Sequence, residues 1–125
     1  MDKKVKKIVE SSKKDKSILA VAFFGSYARE EKFRDIDVCI FLAPKKYSPT
    51  ELSMKKMKYT LEDEKYDVQI FQQLPLYIRK QILKEAKIIY CKDEDLLYDL
   101  YFETLRDFEL FKPIYEGYLE AVANE

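Results

Sequence analysis

An uninterrupted apolar run that ends at a glycine constrains the fold of this chain more than any other feature. Residues 18–24 are all apolar, and Gly25 and Ser26 follow them directly. A continuous apolar run of this length is typical of a strand that is covered on both faces. The sequence therefore predicts a strand in the centre of a sheet, with a glycine turn at its end.

Two carboxylates open the next predicted strand, which covers residues 36–42. Asp35 and Asp37 are two residues apart, so the alternation of side chains along a strand places both on one side of the sheet. Carboxylates in that position can hold divalent metal ions, while Gly25 lets backbone amides approach phosphate closely. Triphosphate chemistry needs this combination, because metal ions neutralise the charge that develops during phosphoryl transfer.

A third carboxylate lies near the start of a third predicted strand, over residues 66–71. Tyr66, Val68 and Ile70 form one set of the alternation, and Asp67 belongs to the other, more polar set. Asp67 is therefore expected to reach the same side as the first two aspartates. There it would ligate the metal on the attacking side and help to remove the proton of an acceptor hydroxyl.

The remaining segments show helical periods or the pattern of a short strand. We expect an amphipathic helix with a solvated lysine face, a loosely periodic helix that runs up to Glu64, a helix that starts at Pro75, a short edge strand, and a final helix that is interrupted or kinked at Pro113. These segments cover residues 2–16, 52–64, 75–86, 88–90 and 93–123, and a further short helix is expected from Ser26 to Glu31.

The final helix is unusually aromatic and carries two adjacent apolar stripes. One stripe comprises Leu97, Tyr101, Thr104, Phe108 and Phe111, and the other comprises Tyr98, Phe102 and Leu105. An apolar arc this wide exceeds what one sheet face needs, so part of it can be reserved for another chain. The alternative, in which the whole arc is core, carries equal weight.

Composition excludes several functional classes. The 23 Lys and Arg balance the 23 Asp and Glu, so no basic excess indicates direct nucleic-acid binding. The absence of histidine and of a CxxC pair argues against zinc, and we expect Cys39 and Cys91 to be small buried residues in a reducing cytoplasm. No apolar run is long enough to span a membrane, and 125 residues leave room for one domain.

At these motifs the chain resembles the minimal nucleotidyltransferases of the DNA polymerase β superfamily, in which Gly-Ser is followed by Asp-x-Asp. Residues 66–71 and 74–90, together with the aromatic, acidic helix after Asp93, look like the MntA family of antitoxins. The resemblance covers most of residues 18–120.

The resemblance implies an α/β (α+β) fold of the polymerase-β-like nucleotidyltransferase palm type, with a small mixed sheet flanked by helices and a C-terminal helix. A single nucleotidyltransferase domain would cover residues 1–125, with the catalytic palm over about 17–91 and a C-terminal helical segment over about 93–123. It further implies two Mg²⁺ ions and transfer of AMP from ATP to a hydroxyl, expected to be a tyrosine, of a partner HEPN-domain ribonuclease toxin. Such a protein adenylyltransferase would silence the toxin and thus act as an antitoxin.

By residue match, the resemblance assigns nucleotide binding to Gly25, Ser26 and Arg29. It assigns catalysis and metal binding to three carboxylates: Asp35, Asp37 and Asp67.

The chain departs from the family pattern in three places, and two other functions stay open. The gap of 8 residues between Ser26 and Asp35 is short, Glu30 replaces a usual glycine, and Arg34 replaces a usual serine. A negative charge at Glu30 is expected to weaken nucleotide binding. One alternative is therefore a non-catalytic module that neutralises its partner by complex formation. The other is nucleotidyl transfer to a small molecule, which the absence of room for an acceptor-binding domain disfavours.

Overall fold

The computed structural model describes residues 3–29 and 35–124 of the chain. The short helix predicted from Ser26 to Glu31 is observed as a helix that ends at Ala28, and Glu30, Glu31 and Arg34 lie outside the described residues. The elements in chain order are α1 (Lys3–Lys13), β1 (Ile18–Phe24), α2 (Gly25–Ala28), β2 (Ile36–Leu42), α3 (Pro49–Thr60), β3 (Tyr66–Ile70), α4 (Leu76–Glu85), β4 (Lys87–Cys91) and α5 (Glu94–Ala123).

The strands form a mixed sheet in the order β3-β2-β1-β4. Strand β1 runs antiparallel to both β2 and β4, and β2 runs parallel to β3. The apolar run thus occupies an interior position, as predicted, and β4 is the predicted edge strand.

Helices cover both faces of the sheet, which confirms the predicted α/β class. On one face, Ile8 of α1 and Tyr59 of α3 pack with the aliphatic residues of β2, among them Val38. On the other face, Ile82 of α4 and Leu97 of α5 pack with the alternate set. The alternate set comprises Leu19, Ala20, Ala22, Cys39 and Phe41. Strand β1 contributes side chains to the core on both faces of the sheet, and for this reason its sequence is continuously apolar.

Several element boundaries differ from the sequence prediction, and helix α1, for example, ends at Lys13 rather than at residue 16. Helix α3 ends at Thr60 rather than near Glu64, because Asp63 starts a turn: its carboxylate accepts a hydrogen bond from the Lys65 amide at 2.8 Å. Strand β3 ends one residue early, since Phe71 begins a short turn of 3-10 helix. Helix α5 continues through Pro113 without the predicted interruption.

The two cysteines are free, and burial raises the pKa of both thiols. Cys39 is fully buried, as expected, but Cys91 is only partly buried. Within the ranges given above, no helix is both long enough and apolar enough to cross a membrane.

Candidate active site

The turn between β1 and α2 requires a glycine for two reasons. Gly25 has a φ of +70°, which L side chains rarely adopt. A Cβ at Gly25 would also collide with the carboxylate of Asp37. The turn after β1 therefore lies directly against Asp37, the second aspartate of the Asp-x-Asp motif. The backbone of Ser26 continues into α2, whose last turn is closed by a 3.0 Å hydrogen bond from the Arg29 amide to the Gly25 carbonyl.

Asp37 occupies the centre of the candidate site. In the sheet register it is paired with Phe24 on β1 and with Asp67 on β3. Directly paired residues on neighbouring strands share a face of the sheet, so Asp37 and Asp67 lie on the same face, as their sequence parity predicts. Asp35 precedes the first residue of β2 and is exposed.

The electrostatic environment of Asp37 favours binding of a cation. Burial raises the pKa of the Asp37 carboxyl above its usual value, and the negative charges of Asp67 and Asp35 raise it further. The positive charge of Arg29 opposes this rise. The three carboxylates therefore share one electrostatic neighbourhood, and a bound cation would relieve their repulsion.

The aspartates are not gathered into a ready-made metal centre. Among the described residues, no three His, Cys, Asp or Glu side chains are grouped closely enough to hold a metal ion. The Asp67 carboxylate instead accepts a 3.3 Å hydrogen bond from Nε2 of the Gln69 side chain on the same strand. The donor chemistry still fits Mg²⁺, because hard divalent cations prefer carboxylate oxygens, but the carboxylates would have to converge on binding.

Arg29 lies beside the site, and its guanidinium contacts a residue that sequence reasoning missed. Its Nη1 donates a 3.2 Å hydrogen bond to Oε2 of Glu85, at the end of α4. Gln81, one turn earlier, donates a 2.8 Å hydrogen bond to Oε1 of Glu85. No sequence motif points to Glu85, because it approaches Arg29 only when α4 packs on the sheet.

A cavity lies at the opposite end of the sheet. It has a volume of about 470 Å³, and its lining includes Leu19, Leu42 and Gln72. Strand β2 runs from the Asp37 end to the Leu42 end, so this cavity is separate from the paired aspartates.

A mixed four-stranded sheet with a glycine turn against one aspartate, and a second aspartate paired beside it, defines a site of the nucleotidyltransferase type. The model of the polymerase β nucleotidyltransferase family matches residues 6–95, which is most of the chain. The chain belongs to this family.

Relatives agree with that assignment. A candidate protein adenylyltransferase of Methanocaldococcus jannaschii is 33% identical over 81 residues, which cover 63% of this chain and 61% of the relative. The chain thus matches less than two thirds of that protein's length.

Solved structures share the fold at low sequence identity. A mutant MntA toxin–antitoxin complex contains a chain that is 12% identical, with a TM-score of 0.75 and coverage of 95% of this chain and 98% of that one. A tri-AMPylated HEPN toxin in complex with MNT antitoxin, from Shewanella oneidensis, gives 14% identity, a TM-score of 0.73 and 96% coverage of both chains. A toxin–antitoxin complex with AMP-PNP gives 15% identity, the same TM-score and 96% coverage of both chains.

Proposed function

We propose that this chain is a Mg²⁺-dependent nucleotidyltransferase that moves AMP from ATP to a tyrosine hydroxyl of a partner HEPN-domain toxin and thereby neutralises it. The observation that carries the proposal is the position of Asp37, which lies between the Gly25 turn and Asp67. Membership of the polymerase β family supports nucleotidyl transfer. A relative named as a candidate protein adenylyltransferase, and the shared fold with an antitoxin bound to an AMPylated HEPN toxin, support a protein acceptor.

In this proposal each site residue has a distinct task. Gly25 lets the turn approach the triphosphate, with the Ser26 amide and hydroxyl as donors and Arg29 as a nearby positive charge. Asp35, Asp37 and Asp67 hold two Mg²⁺ ions, which would neutralise the charge on the leaving pyrophosphate. The complex with AMP-PNP, in a protein of the same fold, supports ATP as the nucleotide.

Asp67 is proposed to take the proton of the acceptor. The tyrosine oxygen attacks the α-phosphorus of ATP, and the bond from that phosphorus to pyrophosphate breaks. The tyrosine proton moves to a carboxylate oxygen of Asp67, which is exposed and therefore accessible to an acceptor on another protein. Because Asp67 is exposed, the acceptor hydroxyl can be supplied by a partner protein rather than by this chain.

The organisation of the chain extends the same proposal. Residues 17–91 would form the catalytic palm, and residues 93–123 would form a C-terminal helical segment, part of which serves the partner. We place the activity in the cytoplasm, where the free thiols of Cys39 and Cys91 would stay reduced.

Radiolabel transfer tests this function. The chain is incubated with Mg²⁺, ATP labelled at the α-phosphate, and the HEPN protein encoded beside it. We expect label on the HEPN protein, and loss of label with Asp37→Asn or Asp67→Asn. Glu10→Gln, at an exposed carboxylate on α1, is the control and should leave transfer intact. Absence of label with the unmodified chain would contradict the proposal.

Neutralisation by complex formation alone is the second candidate function. It is favoured by large apolar side chains that α5 leaves exposed, including Leu110 at 72% and Ile114 at 70%. Under this alternative, the double variant Asp35→Ala/Asp37→Ala would still neutralise the toxin. Under the first proposal, it would not.

A further inference from the structure

The C-terminal half of α5 carries an apolar face that the rest of the chain leaves uncovered. Leu110, Ile114 and Tyr118 expose 72%, 70% and 65% of their surface, and Leu119 and Val122 each expose 47%. These five side chains constitute the C-terminal apolar face. Contiguous exposed apolar surface of this kind marks a site of interaction in a folded protein.

The spacing of the face suits insertion into a groove. Leu110, Ile114, Tyr118 and Val122 follow one another at intervals of four residues, so they form one inclined row along the helix. Leu119 lies beside this row. Anchors at such intervals are the pattern by which an amphipathic helix binds a hydrophobic groove.

Packing of α5 against its own chain extends only to about Tyr115. Tyr77 of α4 stacks on Tyr115, with ring centroids 5.7 Å apart and an interplanar angle of 8°. Phe111 stacks on the same ring from the preceding turn. Residues 116–124 are all exposed.

Within the part of the chain that the structure describes, the exposed end of α5 is therefore a helix without tertiary support. Most helices in proteins owe their stability to packing of an apolar face, not to intrinsic propensity. Pro113 and Gly117 are both inside α5, and they are the two residue types that disfavour helix most. The segment thus needs an external surface to bury its apolar face.

The charge of α5 identifies the chemistry of that surface. Residues 110–123, which carry the face, contain the acidic Glu116 and Glu120 and the basic Lys112, and the whole helix contains eight acidic residues and two basic ones. A second copy of this chain would bring the same acidic helix to the interface, and like charges in close apposition are unfavourable. A partner whose apolar groove is bordered by lysine and arginine would be attracted instead.

We propose that the C-terminal apolar face docks into an apolar groove, bordered by basic residues, on the HEPN toxin; this inference rests on the proposed function. This docking surface lies further along α5 than the sequence suggested, since the sequence pointed to the arc between Leu97 and Phe111. The stripe from Leu97 to Phe111 holds buried Leu97 and Thr104, and Tyr101 stacks on Phe41 in the core. That stripe serves mainly the core, whereas the turns from Leu110 onward are free to bind.

Calorimetric titration of the HEPN toxin, without ATP so that no transfer occurs, tests the surface. The double variant Ile114→Gln/Tyr118→Gln removes two anchors while it keeps residues that favour helix, and we expect the Kd to rise at least about tenfold. The matched control Tyr98→Gln/Phe102→Gln removes two equally exposed apolar side chains from the other stripe and should change the Kd less than about twofold. Higher ionic strength should weaken binding of the unmodified chain, because the charges are complementary.

The outcomes separate the surface from the activity. Unchanged affinity in the Ile114→Gln/Tyr118→Gln variant, with thermal unfolding like that of the unmodified chain, would overturn the surface and leave the proposed function intact. Tight binding without AMP transfer would overturn the proposed chemistry and leave the surface intact. No binding by the unmodified chain would overturn the choice of partner. A homodimer that the variant dissociates in sedimentation velocity would show that a second copy occupies the face.

Discussion

Gly25 and Asp37 lie in direct contact, so the glycine turn and the central aspartate of the candidate site form one structural unit. The absence of a side chain at Gly25 creates the space that the Asp37 carboxylate occupies. The turn proposed to bind phosphate and the carboxylate proposed to bind metal are consequently positioned together, although 11 residues separate them in sequence.

A side chain at Gly25 should disrupt both functions of this unit. Gly25→Ala introduces a Cβ at a φ of +70° and into the Asp37 carboxylate. We expect the free energy of unfolding to fall by about 1–2 kcal/mol and the affinity for Mg²⁺-ATP to fall at least tenfold, or by about 1.4 kcal/mol. Urea unfolding and calorimetry measure the two effects.

Gly117 supplies the matched control for that substitution. It lies inside α5, and a Cβ there would meet no atom within 4 Å. Gly117→Ala should therefore stabilise the helix by about 0.5–1 kcal/mol and leave ATP affinity unchanged. Equal losses in the two alanine variants would contradict the special role of Gly25.

Removal of the negative charge at Asp37 should increase stability while it abolishes activity. The pKa of Asp37 is raised in the folded state by burial and by Asp67 and Asp35, so its ionisation costs stability above that pKa. Asp37→Asn should raise the melting temperature at pH 7, and this gain should vanish below the normal pKa of 3.8, where the carboxyl is protonated in both states. AMP transfer should fall on the order of 1,000-fold. A lower melting temperature at pH 7 would contradict the electrostatic account.

The ion pair between Arg29 and Glu85 should compete with nucleotide. Because the pair is largely exposed on the arginine side, Glu85→Gln should alter the free energy of unfolding by less than about 0.5 kcal/mol. We expect it to strengthen ATP binding about two- to threefold, because Arg29 is then freer to contact phosphate, while Arg29→Ala weakens binding about fivefold or more. Titration of ATP into the two single variants and the double variant measures the coupling free energy between Arg29 and Glu85 in ATP binding. Weaker ATP binding in Glu85→Gln would show that Glu85 positions Arg29 instead.

A partly buried ion pair far from the site should control stability in acid. Burial alone would raise the pKa of Asp15, but hydrogen bonds from Lys55 and Ser17 lower it to about 2. The Lys55 Nζ lies 2.6 Å from Asp15 Oδ2, and Tyr59 donates a 3.4 Å hydrogen bond to the same oxygen. A depressed carboxyl pKa stabilises the fold above the unfolded value of 3.8, and this contribution is lost as the pH falls through about 2.

Asp15→Asn tests this contribution directly. It should lower the free energy of unfolding by about 2 kcal/mol at pH 7 and by much less at pH 2, as measured by urea unfolding at both pH values. Glu64→Gln, an exposed carboxylate in the loop before β3, serves as the control. A loss of equal size at both pH values would contradict the assignment.

The sequence predicted the local features of the site but not the contacts between distant elements. Parity alone placed Asp67 on the correct face, since side-chain alternation is a local property. The direct pairing of Asp67 with Asp37 depends on the parallel register of β2 and β3, which no local pattern specifies. Likewise, Glu85 reaches Arg29 only through the packing of α4.

The final helix shows the same limit. Its helical period was evident from the sequence, but which stripe is buried depends on where the sheet ends. Of the two alternatives, the one in which the whole arc is core was wrong, since Tyr98 and Phe102 are exposed. The uncovered row from Leu110 to Val122 became apparent only when α5 was seen to extend past its last stacking partner, Tyr77.

The affinity for ATP with and without Mg²⁺ tests the central claim most directly. If Asp35, Asp37 and Asp67 hold metal that binds the triphosphate, calorimetry should detect ATP binding in Mg²⁺ and none in EDTA. The double variant Asp37→Asn/Asp67→Asn should then bind no ATP under either condition while it remains folded. Equal ATP affinity in Mg²⁺ and EDTA, or undiminished binding by the double variant, would contradict the proposed nucleotidyltransferase site.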